Sequence, residues 1–231
     1  MFPFGLTNPG FAANAKPRAD LFAGLVSYFK CDDLTGSQTD ELGATFFAGG
    51  IGDGAPGKIN QALKAEDGDE VFLGEGTTAS WGNMGVDFTF VLWLKPGASV
   101  AGNIFGTVWD GEGYSAPGYQ LYFDGTVYKF RINGEEKTIT IGTPTGGFDL
   151  VIFWVDIAAN TMNSQFNNGA VTSLSLASTT VGEGSFILGD GPADTFAMYI
   201  DEWAFYQGRV LRRVDRTAFW NSGAGTSYPF S

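Results

Sequence analysis

The chain has 231 residues, a formal net charge of −12, no histidine and a single cysteine. This length fits one large all-β domain or two small ones. The acidic excess argues against a nucleic-acid partner, because the phosphates would be repelled. The missing histidine removes the commonest general base and transition-metal ligand, and the single cysteine, Cys31, excludes an internal disulfide. Since no apolar run is long enough to span a bilayer, we expect no membrane insertion.

Residues 1–20 predict an N-terminal arm rather than a regular element. Phe2, Phe4 and Phe11 are separated by Pro, Gly and Asn, a spacing that fits neither a helix nor a strand. Exposed phenylalanines favour docking, so we expect the arm to bind other subunits of an assembly. The same residues lack the basic and unbroken apolar regions of a signal peptide, which predicts synthesis in a cytoplasm without export.

Residues 21–231 are predicted to form one domain of short strands. The 34 glycines and 21 phenylalanines indicate many turns between aromatic-rich strands. Short spacing and Gly-rich turns predict an antiparallel two-sheet sandwich. The predicted strands are 24–30, 59–64, 69–73, 87–95, 103–108, 118–124, 127–132, 137–141, 149–156, 161–166, 171–176, 184–189 and 197–206.

One segment, residues 209–221, has a helical pattern, and Gly223 predicts its end. This short C-terminal helix is basic against an acidic background. Its arginines could meet an acidic neighbour, or they could form a solvated face that pairs with Asp215, and the second interpretation is favoured. The four arginines are Arg209, Arg212, Arg213 and Arg216.

An acidic pair, Asp201 and Glu202, lies between Ile200 and Trp203 in an otherwise apolar strand. Burying such a pair is costly unless it is paired, hydrogen-bonded or bound to a metal. In a regular strand the two side chains would point to opposite faces. They therefore cannot be placed as an acid–base couple.

Several segments, in order, resemble laminin-G-like domains of the concanavalin A-like lectin/glucanase superfamily. The resemblance covers roughly residues 24–228, and it implies a jelly-roll sandwich but little about function, because one fold hosts many functions. The segments that carry it are Leu25–Asp33 (LVSYFKCDD), Gly57–Leu63 (GKINQAL), Asp87–Pro96 (DFTFVLWLKP), Phe166–Gly169 (FNNG) and Phe186–Asp215 with its YIDE motif.

The resemblance implies a structural Ca²⁺ that ties the first strand to the last. Asp32 matches the acidic residue after the family's first strand, and Asp201 matches the Asp of the YIDE motif. Oxygen ligands of this kind suit Ca²⁺. The alternative is that Asp32 begins a turn and that Asp201 accepts backbone N–H bonds or pairs with an arginine.

Glycosidases of this superfamily carry a Glu-x-Asp-x-x-Glu signature that puts acid and nucleophile on one face of a strand. The signature is absent here, so we expect no enzyme activity. A glycan-binding site is predicted at a loop with two aromatic and two acidic residues. The alternative is a long hairpin whose tryptophan folds onto the core. The candidate residues are Trp109, Asp110, Glu112 and Tyr114.

These observations predict a non-catalytic structural or adhesive protein of a larger assembly. A bacteriophage virion component, as capsid decoration or tail protein, is favoured by the arm, the missing catalytic signature and the missing export signal. It would be made in the host cytoplasm and act in the virion, with an extracellular location as the alternative. The alternative function is a glycan-binding lectin module, and a glycoside hydrolase is a distant third.

Overall fold

A computed structural model of the protein describes residues 19–32, 40–42, 47–48, 52–66, 71–73, 85–97, 101–106, 118–132, 137–177, 187–190 and 197–230. Two sets of predicted site residues lie outside these ranges. They are the arm phenylalanines Phe2, Phe4 and Phe11, and the glycan-loop residues Trp109, Asp110, Glu112 and Tyr114. Their roles stay predictions from the sequence.

Nearly all regular elements in the described part of the chain are strands. They are β1 Leu25–Phe29, β2 Phe47–Ala48, β3 Gly52–Pro56, β4 Gln61–Glu66, β5 Val71–Leu73, β6 Phe88–Pro96, β7 Gly102–Gly106, β8 Tyr119–Phe123, β9 Tyr128–Ile132, β10 Lys137–Gly142, β11 Asp149–Asp156, β12 Thr161–Phe166, β13 Val171–Ser175, β14 Ile187–Asp190 and β15 Ala197–Gln207. Each predicted strand is present. The predicted bounds of β11 and β12 match the structure, the other strands have shifted ends, and β2 and β3 were not predicted.

The strands form two antiparallel sheets. The eight-stranded sheet has the order β13-β12-β11-β6-β15-β4-β3, with β1 also paired to β15. The seven-stranded sheet has the order β10-β9-β8-β7-β14-β5-β2. Along one edge β15 pairs with β6, and along the other it pairs first with β4 and then with β1. The two-sheet antiparallel β-sandwich predicted from the sequence is confirmed.

Aromatic side chains fill the space between the sheets. Phe90 of β6 stacks on Phe205 of β15, with ring centroids 4.6 Å apart. Across the sandwich, Phe105 stacks on Trp203 at 5.0 Å. Burying one such side chain stabilises the fold by roughly 2–3 kcal/mol, and offset ring pairs add about 1 kcal/mol. This layer fixes which residues of each strand face inward.

A second apolar cluster lies on the outer face of the eight-stranded sheet. There the helix α1, Arg213–Trp220, and the C-terminal tail cover β6, β11 and β15. Trp93 stacks on Trp220 at 5.6 Å, and Tyr28 meets Phe230 edge-on at 5.3 Å. In the part of the chain that the structure describes, no helix has the length and apolar character to cross a bilayer.

Helix α1 begins four residues later than the sequence predicts. The segment before it is held extended against β6, because Thr89 Oγ1 donates to the carbonyl of Arg209 at 2.9 Å and accepts from the N–H of Leu211 at 3.4 Å. Asn221, with φ of 43°, ends the helix in the left-handed conformation. The predicted single short C-terminal helix is confirmed, and the predicted start at residue 209 is wrong.

The buried carboxylate of Asp215 ties this helix to the start of the domain. It accepts from Arg209 Nη2 at 2.8 Å, from Arg212 Nη2 at 2.9 Å and from the backbone N–H of Asp20 at 2.9 Å. Burial opposes its ionisation, but these donors outweigh burial and lower its pKa to about 2. Of the four arginines considered in the sequence analysis, Arg209 and Arg212 therefore pair with Asp215, and Arg216 donates to Gln165 Oε1 at 2.7 Å.

Replacing Asp215 with asparagine should lower the free energy of unfolding by about 2–3 kcal/mol at neutral pH, because both arginines lose their charged acceptor. The pKa of Asp215 is depressed in the folded chain, so its stabilisation is complete above about pH 4 and is lost as the pH falls towards 2. Denaturant titrations of Asp215→Asn at several pH values would measure both effects.

The matched control is Glu41→Gln, which breaks a more exposed ion pair with Lys30 at 3.1 Å. That change should cost less than about 1 kcal/mol. Equal losses for the two variants, or a cost of Asp215→Asn that stays constant down to about pH 2, would contradict the assignment.

Candidate functional site

Strand β15 is irregular where it carries the acidic pair. Its register with β6 shifts between Asp201 and Ala204, and Glu202 has a φ of 50°. Both Ile200 and Trp203 lie in the core between the sheets, so Asp201 and Glu202 share the outward position between them. The expectation that the two acids face opposite ways is wrong, because a β-bulge replaces regular alternation.

The bulge lies where β15 exchanges β4 for β1 as its neighbour, next to the turn that joins β3 to β4. Asp201 Oδ2 accepts the N–H of Ile59 at 2.8 Å. Asp32 Oδ1 accepts the N–H of Gln61 at 3.0 Å, and its Oδ2 accepts from Asn60 Nδ2 at 3.2 Å. The structure thus brings Asp32 and Asp201 to one turn, where both act as acceptors.

These contacts bear on the predicted Ca²⁺ site. Both oxygens of Asp32 and one of Asp201 already hold the turn, which leaves Asp201 Oδ1 and Glu202 Oε1 as buried oxygens without a donor. A Ca²⁺ ion is coordinated by roughly six to eight oxygen atoms. Among the described residues, no three side chains of His, Cys, Asp or Glu converge as a metal site. The described side chains fit a turn-holding role better than a calcium cage, and the Ca²⁺ site stays a prediction.

The electrostatics of the bulge follow from its burial. Burial raises the pKa of Asp201 from 3.8 to about 8, and the N–H of Ile59 offsets this only in part. Burial likewise raises the pKa of Glu202 from 4.5 to about 7, against the hydrogen bond donated by the Tyr28 hydroxyl. Both side chains are at most 1% exposed, and each accepts a hydrogen bond from a neighbouring strand or turn. These contacts give the pair a role in closing the fold.

A second region, which was not predicted from the sequence, is the outer face of the seven-stranded sheet. Alternate residues of β8, β9 and β10 point into the core, so the residues between them point outward. Two rows run across the strands. One comprises Gly106, Gln120, Arg131 and Thr138, and the other comprises Asn103, Tyr122, Lys129 and Thr140. We call these residues the polar face.

Two amides of the polar face are buried without hydrogen bonds. Gln120 is 0% exposed and Asn103 is 5% exposed. Neither the oxygen nor the nitrogen of either amide has a partner in the described part of the chain. Leaving such a group unsatisfied costs about 1–3 kcal/mol. A fold that keeps two of them at adjacent strands indicates a use for the amides beyond stability.

Beside the amides lies an aromatic ring flanked by cations. The Arg131 guanidinium is 5.0 Å from the ring centroid of Tyr122, and Lys129 Nζ is 6.0 Å from it. Lys129 also pairs with Asp124 at 2.6 Å. Tyr122 is half-buried and Thr140 is exposed, so this row opens to solvent. The face therefore combines a ring, hydrogen-bonding amides and positive charge.

The signal for this face was present in the sequence as polar residues alternating with apolar ones. Gln120 stands between Tyr119 and Leu121, and Arg131 stands between Phe130 and Ile132. The predicted glycan-loop residues belong to the segment that joins β7 to β8, the two strands that carry Asn103 and Gln120.

No family model and no curated protein matches the chain. Among solved structures, the binding domain of botulinum neurotoxin serotype C1 has a TM-score of 0.67 at 12% identity, covering 88% of this chain and 53% of its own. A structure of botulinum neurotoxin type C, whose uptake into cells depends on interaction with two ganglioside molecules, has a TM-score of 0.63 at 14% identity, covering 86% and 51%. A Trypanosoma rangeli sialidase has a TM-score of 0.61 at 13% identity, covering 89% and 34%.

At these identities the likeness shows the fold alone, a β-sandwich shared with jelly-roll binding domains. The chain spans about half the length of the neurotoxin structures and about a third of the sialidase.

Replacing Gly57 with alanine should destabilise the bulge by roughly 2 kcal/mol. A Cβ at this position would lie 2.7 Å from Asp201 Oδ2 and even nearer to the carbonyl of Gln61. Gly147→Ala is the matched control, because its nearest neighbour would be Thr145 Oγ1 at 3.9 Å. Thermal melts of the two variants would compare them, and equal melting temperatures would contradict the tight turn.

The raised pKa values of Asp201 and Glu202 predict how stability depends on pH. Each carboxyl holds its proton more tightly in the folded chain, so its folded pKa of about 8 or about 7 exceeds its unfolded value. The free energy of unfolding should therefore fall as pH rises from about 5 to about 8. Glu202→Gln removes one of the two groups. The free energy of unfolding of this variant should therefore fall less steeply, by at most about 1 kcal/mol per pH unit.

Asp124→Asn is the control for this series. Its carboxyl has a lowered pKa because of the hydrogen bond from Lys129, so it stays ionised throughout this range. The free energy of unfolding of Asp124→Asn should therefore change with pH in the same way as that of the unchanged protein. If the curve of Glu202→Gln against pH is also parallel to that of the unchanged protein, the raised pKa of Glu202 is refuted.

Proposed function

We propose that the protein is a non-catalytic glycan-binding module that binds saccharides on the polar face. The observation that carries the proposal is the pair of buried amides without partners, Asn103 and Gln120, on the same face as the half-buried ring of Tyr122. Saccharides need an aromatic ring for their C–H face and hydrogen-bonding groups for their hydroxyls. Both requirements are met within two adjacent cross-strand rows.

The chemistry of each group suits this role. An amide offers both a donor and an acceptor, so it can pair with a sugar hydroxyl in either direction. The ammonium of Lys129 donates to hydroxyl or carboxylate oxygens. Because the groups lie on strands rather than in loops, their positions are fixed before a ligand binds, which lowers the entropic cost of binding.

The structural comparisons support this proposal at the level of fold. One similar structure belongs to a toxin that depends on ganglioside molecules, and another is a sialidase. Such a likeness supports a binding role for the sandwich. The class of ligand is inferred from the residues of this chain. The role in a virion, with subunit contacts through residues 1–20 and a virion or extracellular location, stays a prediction from the sequence.

A glycan array followed by calorimetry would test the proposal. Tyr122→Ala should weaken binding of the best glycan roughly tenfold, because the ring contact is lost. Gln120→Leu should weaken binding as well, yet raise the melting temperature, because it replaces an unsatisfied buried amide with an apolar side chain of similar size. Trp109→Ala in the same assay would test the predicted loop.

Thr172→Ala is the matched control, since Thr172 is exposed on β13 of the other sheet. It should change neither affinity nor stability. A blank array at high protein concentration, or unchanged affinity in both Tyr122→Ala and Gln120→Leu, would overturn the proposal. A fall in melting temperature for Gln120→Leu would show that the amide already has a partner.

A further inference from the structure

A cavity lies at the seam where residues 19–22 meet the C-terminal tail. Its volume is about 720 Å³, within the roughly 300–1,000 Å³ typical of small-molecule sites. Four parts of the chain line it, including residues 19–22, the turn at Ile59 and the tail at 225–227. It is separate from the site of the proposed function and belongs to the outer side of the eight-stranded sheet.

The exposed aromatic ring of Phe22 lines this cavity. Phe22 is 52% exposed, and no other aromatic side chain in the described ranges is as open to solvent. Its ring meets Phe230 edge-on at 5.2 Å and Tyr228 at 6.0 Å. Phe230 in turn meets Phe219 of α1 at 5.5 Å. The ring of Phe22 is thus held in place by the tail while much of it faces water.

Within the described ranges, most polar atoms around the cavity are acceptors without a donor. Asp20 uses Oδ1 for the N–H groups of Phe22 and Ala23, which leaves its Oδ2 available. Asn221 donates its Nδ2 to the carbonyl of Gly225 at 2.7 Å, which leaves its side-chain oxygen. Thr226 Oγ1 donates to the carbonyl of Ala218 at 2.7 Å and keeps its lone pairs. Such a site pairs with a ligand that brings O–H donors.

Charge narrows the ligand class further. A carboxylate at the cavity and the net charge of −12 disfavour an anion. A cationic ligand would gain little affinity either. Arg209 donates to the carbonyl of Asp20 at 2.7 Å, and its positive charge offsets the negative charge of the Asp20 carboxylate. A neutral ligand with many hydroxyls and an apolar ring face satisfies all of these constraints.

We infer that this cavity, the seam cavity, is a binding site for a neutral saccharide that stacks on Phe22 and donates hydroxyls to Asp20, Asn221 and Thr226. The site works independently of the polar face, since the two share no residue and lie on different sheets. The protein would then hold two saccharide-binding regions of different electrostatic character, one with cations and one without.

Saturation-transfer NMR on the full chain would test the inference with glucose, galactose, mannose, N-acetylglucosamine and lactose as probes. At least one probe should bind with a dissociation constant on the order of 1 mM. Phe22→Ala should weaken it about tenfold, whereas Phe22→Tyr should keep it within about twofold. Asp20→Asn retains an oxygen for the local turn and should weaken binding several-fold.

Two control variants check that the sugar binds in the seam cavity itself. Leu42→Ala changes another exposed apolar side chain and should leave binding intact. Gln120→Leu disables the polar face and should also leave it intact. If Gln120→Leu abolishes binding while Phe22→Ala does not, the saccharide binds the polar face and the inference fails. It also fails if no neutral probe binds at about 10 mM, or if tetramethylammonium binds in place of every sugar.

Discussion

The bulge in β15 is the constraint on which the rest of the sandwich depends. A single strand must pair with β6 along one edge and with two successive strands along the other. Where β4 gives way to β1, backbone N–H groups of the adjoining turn would lack acceptors. Asp201 and Asp32 accept them, and Glu202 accepts from Tyr28 on the neighbouring strand. Asp201 and Asp32 thus replace the missing ladder hydrogen bonds.

The bulge also explains why both faces of the eight-stranded sheet are buried. Beyond the bulge, Trp203 and Phe205 face the core between the sheets, while Ala204 and Tyr206 face outward. The outward residues need cover, and α1 with the tail supplies it. Asp215 then fixes α1 to the segment that precedes β1. Consequently the outer face of the eight-stranded sheet is covered by α1, the tail and the segment before β1, whereas the polar face lies on the seven-stranded sheet.

Much of this architecture follows from local sequence. Alternating or continuous apolar runs, such as those of β6 and β15, predict strands well because their pattern reflects burial directly. Strand β3, with the sequence GDGAP, carries no such pattern and exists only through its pairing with β4. The start of α1 depends on Thr89, 120 residues from Arg209 in the chain. The sequence cannot reveal that contact without the fold.

The candidate sites, like the fold, were predictable from local sequence only in part. The importance of Asp201 was predictable from an acid in apolar surroundings and that of Asp32 from the family resemblance, but their meeting at one turn depends on strand pairing. The polar alternation around Gln120 is visible in the sequence, whereas its lack of partners depends on which strands become neighbours. The seam cavity had no local signal, because Phe22 and Phe230 stand at opposite ends of the domain and meet only in the folded chain.

The pairing of β1 with β15 has a consequence for how the protein reaches its native state. Tyr28 and Glu202 are separated by 174 positions, and Asp20 and Asp215 by 195. While the chain is being synthesised, β1 must therefore wait for nearly all of the domain to emerge before its partner exists. Contacts of such long range slow folding, because loop closure must be completed before pairing stabilises anything. During that interval an unpaired, apolar first strand is exposed, so the protein should depend most on protection from aggregation until β15 has been synthesised.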